Sequence, residues 1–242
     1  MSDVRDLFPY ESLAFLGKVN ASISHELKNI MAIISETAGL LEDLSDMAAD
    51  GPPVAPDMLA NCTRSIVEEI QRGFATIRQM NRLAHSVDTP VATVDLLELI
   101  DLVVHLAGYL SRSGKVRVTA VGKASPVVRT SPFLLQAIIY QVLGYTFENF
   151  GAGADLTISI LPRDDSVWRI VFSGFSAAGF RVFPDAATRR MADAIQVRID
   201  WETTADQLTL DVPQRLAGAD GLASGTDVNA VTGSIGDNNR QE

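Results

Sequence analysis

Two long stretches of helical periodicity, separated by a short cluster of helix breakers, constrain this fold more than any other feature of the sequence. From Ser12 to about Ala49 there is no proline, and apolar residues recur every three or four positions. This pattern predicts a long amphipathic helix. The segment Asp50-Gly-Pro-Pro-Val-Ala-Pro56 ends it. A second pattern of the same kind, from Asp57 to about His85, predicts a second long helix.

Two helices joined by so short a connection form an antiparallel hairpin. Each predicted helix carries an apolar stripe along most of its length, and a lone pair of helices buries two such stripes poorly. Pairing two hairpins into a four-helix bundle buries them, so we expect a homodimer. The single cysteine, Cys62, lies on the second stripe and is expected to pack there. One cysteine excludes a disulfide framework and a cysteine-built zinc site.

The remainder of the chain has a different rhythm, which predicts an α+β sandwich. Its predicted helices are Thr93–Ser111, Pro132–Phe150 and Ala186–Gln196, and its predicted strands are Lys115–Val121, Pro126–Thr130, Leu156–Leu161, Val167–Phe172, Val197–Glu202 and Gln207–Val212. We therefore expect a hairpin domain over residues 1–88 and a sandwich over residues 93–213. Residues 214–242 are rich in Gly, Ala, Asp and Asn without periodicity, which predicts a disordered tail.

The charge balance and the apolar runs exclude several classes of partner. The chain has 30 acidic and 20 basic side chains, a formal net charge of -10, which argues against nucleic acid as the main partner. The longest apolar runs, around Ile100–Leu110 and Phe133–Leu143, are too short and too interrupted to span a bilayer. The first residues lack the basic and apolar regions of a signal peptide. We expect a cytoplasmic protein that has no membrane partner.

Among the three histidines, His25 has an unusual position. With about 100° of rotation per residue and Leu16 placed at zero, the apolar residues of the first helix fall within roughly 60° of Leu16. They are Leu16, Val19, Ile23, Leu27, Ile30, Ile34 and Leu41. His25 falls at about 180°, on the solvent side. This angle excludes a core role and leaves either an incidental surface residue or a functional one.

The residues around His25 form a recognisable motif. The segment Ser22-Ile-Ser-His-Glu-Leu-Lys-Asn29 resembles the H-box of two-component histidine kinases, of the form S-x-S-H-E-x-x-N. It lies about halfway along the first helix of a helical hairpin, as it does in that family. The proline that often follows the asparagine in the family is Ile30 here, which removes only a helix kink. The resemblance implies a phosphoacceptor role for His25.

The chemistry of these residue types fits that implication. A neutral imidazole nitrogen can attack a phosphoryl group near pH 7, because histidine side chains ordinarily titrate near pH 6.5. The phosphorus–nitrogen bond is labile, so the group can pass on to an aspartate. By resemblance, Glu26 would hydrogen-bond the ring and act as a general base. Asn29 would position a water or the phosphoryl group, which leaves room for phosphatase activity towards a receiver.

Residues 93–213 resemble, in the order and spacing of their elements, the ATPase domain that follows this hairpin in histidine kinases. The nucleotide-binding motifs of that domain are degenerate here. The two N-box asparagines, the second of which holds magnesium in the family, fall at Tyr140 and Gly144. The aspartate and the two glycines of the D-x-G-x-G motif fall at Ser173, Phe175 and Ala177. Gly174, between them, is interpreted as a turn residue beside a strand.

The family's glycine-rich lid motif is also replaced, by the sequence Phe-Pro-Asp-Ala-Ala-Thr-Arg-Arg at residues 183–190. That sequence lacks the glycines whose backbone amides cradle phosphates. Phosphoryl transfer from ATP needs magnesium and phosphate clamps together. We therefore expect no ATP and no metal to be bound by this chain, and magnesium to be held by the partner receiver. The acidic residues form no paired-carboxylate or metal-binding pattern.

The resemblance is closest in build to the histidine phosphotransferases of phosphorelays, in which the second domain helps to dock a receiver. The leading hypothesis is a dimeric protein that takes a phosphoryl group from the aspartate of one response-regulator receiver onto His25 and passes it to another. One alternative is a histidine autokinase with a divergent ATP site. Another is a non-enzymatic regulator that docks a receiver or a kinase. A fold alone does not decide between them.

Overall fold

The computed structural model describes residues 11–108, 115–121, 125–150, 155–175, 183–202 and 204–217. Within these residues the helices are α1 (Glu11–Ala49), α2 (Pro56–His85), α3 (Leu96–Leu106), α4 (Pro132–Phe150) and α5 (Ala186–Ala194). The strands are β1 (Ala92–Asp95), β2 (Val116–Ala120), β3 (Val127–Thr130), β4 (Leu156–Asp164), β5 (Val167–Ser173), β6 (Arg198–Glu202) and β7 (Gln207–Pro213).

Helices α1 and α2 form the antiparallel hairpin that the sequence predicts. They are 39 and 30 residues long, and residues 50–55 connect them. Pro56 opens α2, where its missing N–H is harmless because first-turn amides have no partner within a helix. The two helices pack closely at Gly73, where an added Cβ would lie 3.7 Å from a side-chain carbon of Ile30. The hairpin is confirmed with bounds within a residue of those expected.

The second domain is a two-layer α/β sandwich, so the predicted α+β class is also confirmed. Its main sheet has the order β2-β4-β5-β7-β6. Strands β2 and β4 are parallel, and the other neighbours in this sheet are antiparallel. Alternate residues of β5, such as Trp168, Ile170 and Phe172, enter one hydrophobic core with helix α4. This alternation is the two-residue period of a strand with one buried face.

A small second sheet, β1 paired antiparallel with β3, corrects the predicted start of α3. The helix was expected to begin near Thr93, but Thr93 pairs with Arg129 instead. Helix α3 begins after Asp95, whose carboxylate accepts hydrogen bonds from the backbone N–H groups of Leu97 (2.7 Å) and Glu98 (3.3 Å). An aspartate that caps two first-turn amides fixes the beginning of a helix. The apolar pattern alone did not reveal this cap.

The chain stays ordered beyond β7, which corrects part of the expected tail. Arg215 forms a parallel bridge with Arg129 of β3. The backbone N–H of Leu216 donates to the carbonyl of Arg129 at 2.9 Å, and the Leu216 side chain is buried. Residues 214–217 are therefore part of the folded domain. The rest of the expected tail, residues 218–242, lies outside the described residues.

The hairpin and the sandwich share a core through the first half of α1. The ring of Phe15 is fully buried, and its centroid lies 5.5 Å from that of Phe133 and 5.2 Å from that of Tyr140. One turn below His25, the hydroxyl of Ser22 donates to the carbonyl of Leu106 at 3.4 Å. The second domain therefore packs on the flank of α1, between the apolar stripe and the exposed side that carries His25.

Candidate functional site

His25 lies in the first half of α1 and is exposed. Its neighbours on the chain, Ser22 and Ile23, are buried. The structure therefore places His25 on the solvent side of α1, as its helical angle predicts. Exposure matters chemically because an aspartate on a second protein can reach only an accessible imidazole. The placement satisfies that requirement without any rearrangement of the helix.

Asn29, one helical turn further on, is the ring's hydrogen-bond partner. Its Nδ2 lies 3.3 Å from Nδ1 of His25. This contact follows from the helix itself, because residues four apart lie above one another on one face. An amide nitrogen carries only donor hydrogens, so in this arrangement the Nδ1 atom accepts. A neutral imidazole that accepts at Nδ1 carries its proton on Nε2.

Glu26 contacts α2 in place of the imidazole. Its carboxylate forms an ion pair with the guanidinium of Arg72, which also contacts Glu69 at 3.3 Å. Burial acts to lower the pKa of Arg72, but the hydrogen bonds and charges of Glu26 and Glu69 outweigh it and raise that pKa above its ordinary value. The cation is therefore fixed at physiological pH. The role of Glu26 as a general base to His25 stays a prediction.

A cleft of about 470 Å³ opens beside Glu26, between the hairpin and the end of α3. Glu26, Arg72 and Gln79 line its hairpin side, and His105 lines its α3 side. Nδ1 of His105 lies 2.9 Å from the carbonyl oxygen of Asp101. A carbonyl only accepts, so the ring donates from Nδ1 and its neutral form keeps a lone pair on Nε2. A polar cleft thus adjoins the exposed histidine.

Sequence reasoning missed Arg72 and His105 as members of this site. Arg72 is 46 residues from Glu26, and only the hairpin register places one beside the other. The breaker cluster sets that register to within about a turn, which is too coarse to select one arginine among several on α2. The apolar sequence around His105 does not mark it as a site residue, but its side chain is exposed. It lies at the end of α3, where the helix leaves the core.

In the sandwich, Tyr140 and Gly144 stand at the two positions compared with the N-box asparagines, and both are packed within the fold. Tyr140 is buried, and its ring meets Phe15 edge-on. This contact joins α4 to the hairpin. Gly144 is half-buried one turn later on the same helix and has no side chain. Neither position offers the carboxamide oxygen that holds magnesium in the family.

Phe175, at another position compared with the family's nucleotide motifs, belongs to a cluster of aromatic rings. Tyr145 stacks on Phe183 with centroids 4.7 Å apart, and it lies edge-on to Trp201 at 6.3 Å. Phe175 lies edge-on to Trp201 at 6.0 Å, and the Trp201 indole N–H donates to the carbonyl of Phe183 at 3.0 Å. We call Tyr145, Phe175, Phe183 and Trp201 the aromatic cluster. It stands between the end of α4 and strands β5 and β6.

The motif positions around this cluster have local roles in the fold. Ser173 ends β5, and its hydroxyl lies 3.5 Å from the carbonyl of Thr157. Gly174 has φ +105°, and an added Cβ would lie 2.1 Å from the carbonyl oxygen of Asp155. Only glycine fits such a conformation and approach, so its interpretation as a turn residue is confirmed. Ala177 lies outside the described residues.

Two further properties concern metals and membranes. Among the described residues, no three or more His, Cys, Asp or Glu side chains come together as metal ligands would. Across the same parts of the chain, no helix combines the length and the apolar composition that crossing a bilayer requires.

Comparisons with known proteins give structural likeness only. No family model matches the sequence, and no curated protein matches it. The fold is similar to a bacterial phosphotransferase, with 13% identity over 82% of this chain and 95% of that one and a TM-score of 0.47. It is also similar to the histidine kinase AdeS of Acinetobacter baumannii, with 11% identity over 78% and 98% of the two chains and a TM-score of 0.43.

A third similar structure is the catalytic domain of the histidine kinase ThkA, with 14% identity over 52% of this chain and 99% of that one, and a TM-score of 0.44. All three TM-scores lie below 0.5, and these likenesses describe the arrangement of helices and strands.

Proposed function

We propose that this protein is a phosphorelay component that carries a phosphoryl group on Nε2 of His25 and exchanges it with the aspartates of response-regulator receivers. The observation that carries the proposal is the exposed imidazole on α1, set in the sequence Ser22–Asn29 with Asn29 hydrogen-bonded to its ring. An incidental surface histidine is not expected to combine this motif, this position in the hairpin and a hydrogen bond from Asn29.

The transfer is a displacement at phosphorus. In the tautomer that carries its proton on Nδ1, the lone pair of Nε2 attacks the phosphorus of the receiver's aspartyl phosphate, a nitrogen–phosphorus bond forms, and the aspartate carboxylate leaves. The Nδ1 proton must then depart, because a ring substituted at Nε2 and protonated at Nδ1 is cationic. Glu26, the next residue in the sequence, is the candidate base once it leaves Arg72, and Asn29 orients the ring or a water. Magnesium on the receiver neutralises the transferring oxygens.

Exposed lysines favour the approach of a receiver to this face. Lys18 and Lys28 lie seven residues before and three residues after His25, so they share its side of α1. Both are exposed. A receiver presents an acidic pocket around its aspartate, and positive charge of this kind speeds the encounter of such surfaces. These two charges are opposite in sign to the net charge of the chain.

The second domain favours a function without ATP. Tyr140 and Gly144 replace the asparagines of the family, and Phe175 puts an aromatic ring where the family has the first glycine of its D-x-G-x-G motif. Magnesium and phosphate clamps have to be present together for transfer from ATP. We propose that this domain binds no nucleotide and serves to dock the receiver beside His25.

The hairpin also offers a surface for dimerisation. Six large apolar residues of α2 are at least 39% exposed, and five of them share one side of the helix: Leu59, Val67, Ile70, Phe74 and Ile77. They lie within one face of the helix at steps of three, four, seven and eight residues. A second copy of the hairpin would cover this face in a four-helix bundle. We include a homodimer in the proposal on this ground.

The test is incubation of the full chain with radiolabelled ATP alone, and then with receiver domains of the same genome phosphorylated by a small-molecule donor. We expect no label from ATP and transfer of label from at least one receiver. His25→Ala should abolish that transfer. Labelling by ATP alone would identify an autokinase and contradict the proposal. Unchanged action on a partner after His25→Ala would identify a docking regulator.

A further inference from the structure

Helix α1 directs His25 and Glu26 to different sides. Adjacent helical residues are separated by about 100°, so they do not face each other. His25 is exposed on the outer side of α1, while Glu26 lines the cleft beside the second domain. A carboxylate next to the histidine in the sequence is therefore not next to its ring in this conformation.

Arg72 holds Glu26 in that position. Its guanidinium pairs with Glu26 and with Glu69 at once, joining α1 to α2 through one cation. The Glu26 side chain is 33% exposed and that of Arg72 is 48% exposed. The pair is therefore partly hydrated and open to exchange. Such a pair biases a conformation without locking it.

The ring of His25 is meanwhile hydrogen-bonded to Asn29. Because the amide nitrogen donates to Nδ1, the neutral imidazole keeps its proton on Nε2. In this tautomer Nε2 has no lone pair in the ring plane with which to attack phosphorus. A carboxylate at Nδ1 would have the opposite effect, because it accepts from an Nδ1–H and leaves Nε2 unprotonated.

From these three contacts, and resting on the proposed function, we infer that Arg72 is a positioning residue that controls the phosphoacceptor histidine. It keeps Glu26 on the cleft side and so holds His25 in the resting tautomer with the proton on Nε2. Release of Glu26 from Arg72 lets the carboxylate accept from Nδ1–H, which moves the proton off Nε2 and activates it as a nucleophile. Arg72 itself does not touch the transferring phosphoryl group.

The first experiment reads the tautomer directly in the full-length chain. Long-range ¹H–¹⁵N correlation spectra at about pH 8.5, two units above the usual histidine pKa, report which ring nitrogen carries the proton. The His25 signals are assigned by their loss in His25→Gln. We expect mainly the Nε2–H form in the wild type and a shift to the Nδ1–H form in Arg72→Gln. Arg72→Lys should restore the wild-type pattern.

Arg64→Gln is the matched control, because Arg64 is also an exposed arginine of α2 and lies two turns earlier. It removes the same charge from the same helix without touching Glu26, and we expect no change of tautomer. The double variant Glu26→Gln with Arg72→Gln should also keep the wild-type tautomer, since it lacks the carboxylate that Arg72 is inferred to restrain.

The second experiment measures reactivity with phosphoramidate, a donor that needs no receiver. The Nε2 lone pair forms a bond to phosphorus, the donor's nitrogen–phosphorus bond breaks, ammonia leaves, and the Nδ1 proton passes to Glu26 or water. Formation of phosphohistidine is followed by ³¹P NMR. Arg72→Gln should react about two- to fivefold faster than the wild type, the range expected for loss of one surface ion pair.

Any of three results would overturn the inference. The first is a wild-type ring already in the Nδ1–H form, and the second is an unchanged tautomer in Arg72→Gln. The third is a phosphoramidate rate in Arg72→Gln equal to or below that of Arg64→Gln. Failure of the proposed function would be seen elsewhere, as wild-type protein that no phosphorylated receiver labels, while the tautomer shift and the phosphoramidate rates follow the expected pattern.

Discussion

The hairpin and the sandwich differ in how far their motif residues are exposed. On α1, the histidine of the motif is exposed and contacts an amide one turn away, while the carboxylate that follows it in the sequence is held by a partly hydrated ion pair. In the sandwich, the corresponding motif positions are occupied by packing residues, with Tyr140 buried against Phe15 and Phe175 beside Trp201. The motif position on α1 is thus open to solvent, whereas Tyr140 in the sandwich is part of the core.

This difference predicts that substitutions in the two regions separate activity from stability. A change at His25 should remove activity and leave the fold intact, because the side chain makes no buried contact. A change at Tyr140 should weaken the fold without creating or destroying nucleotide binding.

The largest effect is expected for His25→Ala, which should lose all phosphoryl transfer from a labelled receiver. Its free energy of unfolding should change by no more than about 0.5 kcal/mol, as for other surface substitutions. Transfer is measured by label on the protein after gel separation, and stability by thermal unfolding. His85→Ala, at another exposed histidine, is the control that should retain transfer. Residual label on His25→Ala would place the phosphoacceptor elsewhere.

Tyr140→Asn restores one N-box asparagine, and it should lower the free energy of unfolding by about 3 kcal/mol or more. The variant loses the ring contact with Phe15 and buries an amide in an apolar site. Urea denaturation followed by fluorescence measures the loss. We expect neither the wild type nor the variant to bind a fluorescent ATP analogue with magnesium. Tight nucleotide binding would contradict the proposal that this domain binds no nucleotide.

Ile70→Glu should convert the proposed dimer to monomers, because it puts a charge into the middle of the exposed apolar face of α2. We expect the dissociation constant to rise by about 30-fold or more, equivalent to roughly 2 kcal/mol. Light scattering across a concentration series measures it. Val121→Glu, at an exposed apolar residue of the sandwich, should leave the dimer unchanged. Equal effects of both variants would argue against this interface.

Asp95→Ala should destabilise the sandwich by about 1 kcal/mol, since it removes the cap of α3. Burial acts to raise the pKa of Asp95, but hydrogen bonds from Ser125 and two backbone N–H groups outweigh it and lower that pKa. A depressed pKa means that the carboxylate stabilises the fold above the unfolded pKa, near 3.9. This contribution is lost as the pH falls through the folded pKa.

The measurement for Asp95 is the free energy of unfolding of wild type and Asp95→Ala from pH 7 down to about pH 3. The difference between the two proteins should be constant near neutrality and shrink in acid. A difference that grows in acid would have the wrong sign for this cap.

The sequence predicted the hairpin and the position of His25 because both depend on the angular period of one helix. The assignment of degenerate nucleotide motifs rests on residue type alone and stays a prediction. The sequence did not predict the pairing of Glu26 with Arg72, since that depends on the register between helices 46 residues apart in the chain. The order of residues 214–217 was also missed, because their pairing with β3 uses backbone atoms that composition does not reveal.

The smallest effect is expected for Gly39→Ala on α1, which should stabilise the protein by about 0.5–1 kcal/mol. A Cβ at this position meets nothing within 4 Å, and alanine loses less conformational freedom than glycine when the helix forms. The same substitution at Gly174 should destabilise, because its φ of +105° and the carbonyl of Asp155 leave no room for a Cβ. Thermal unfolding of the two variants compares the change in stability that one added carbon atom causes in each region. The open surface of α1 should accept the added methyl group, and the turn after β5 should reject it. Stabilisation by both variants would mean that the end of β5 adapts to an added carbon as freely as the helix does.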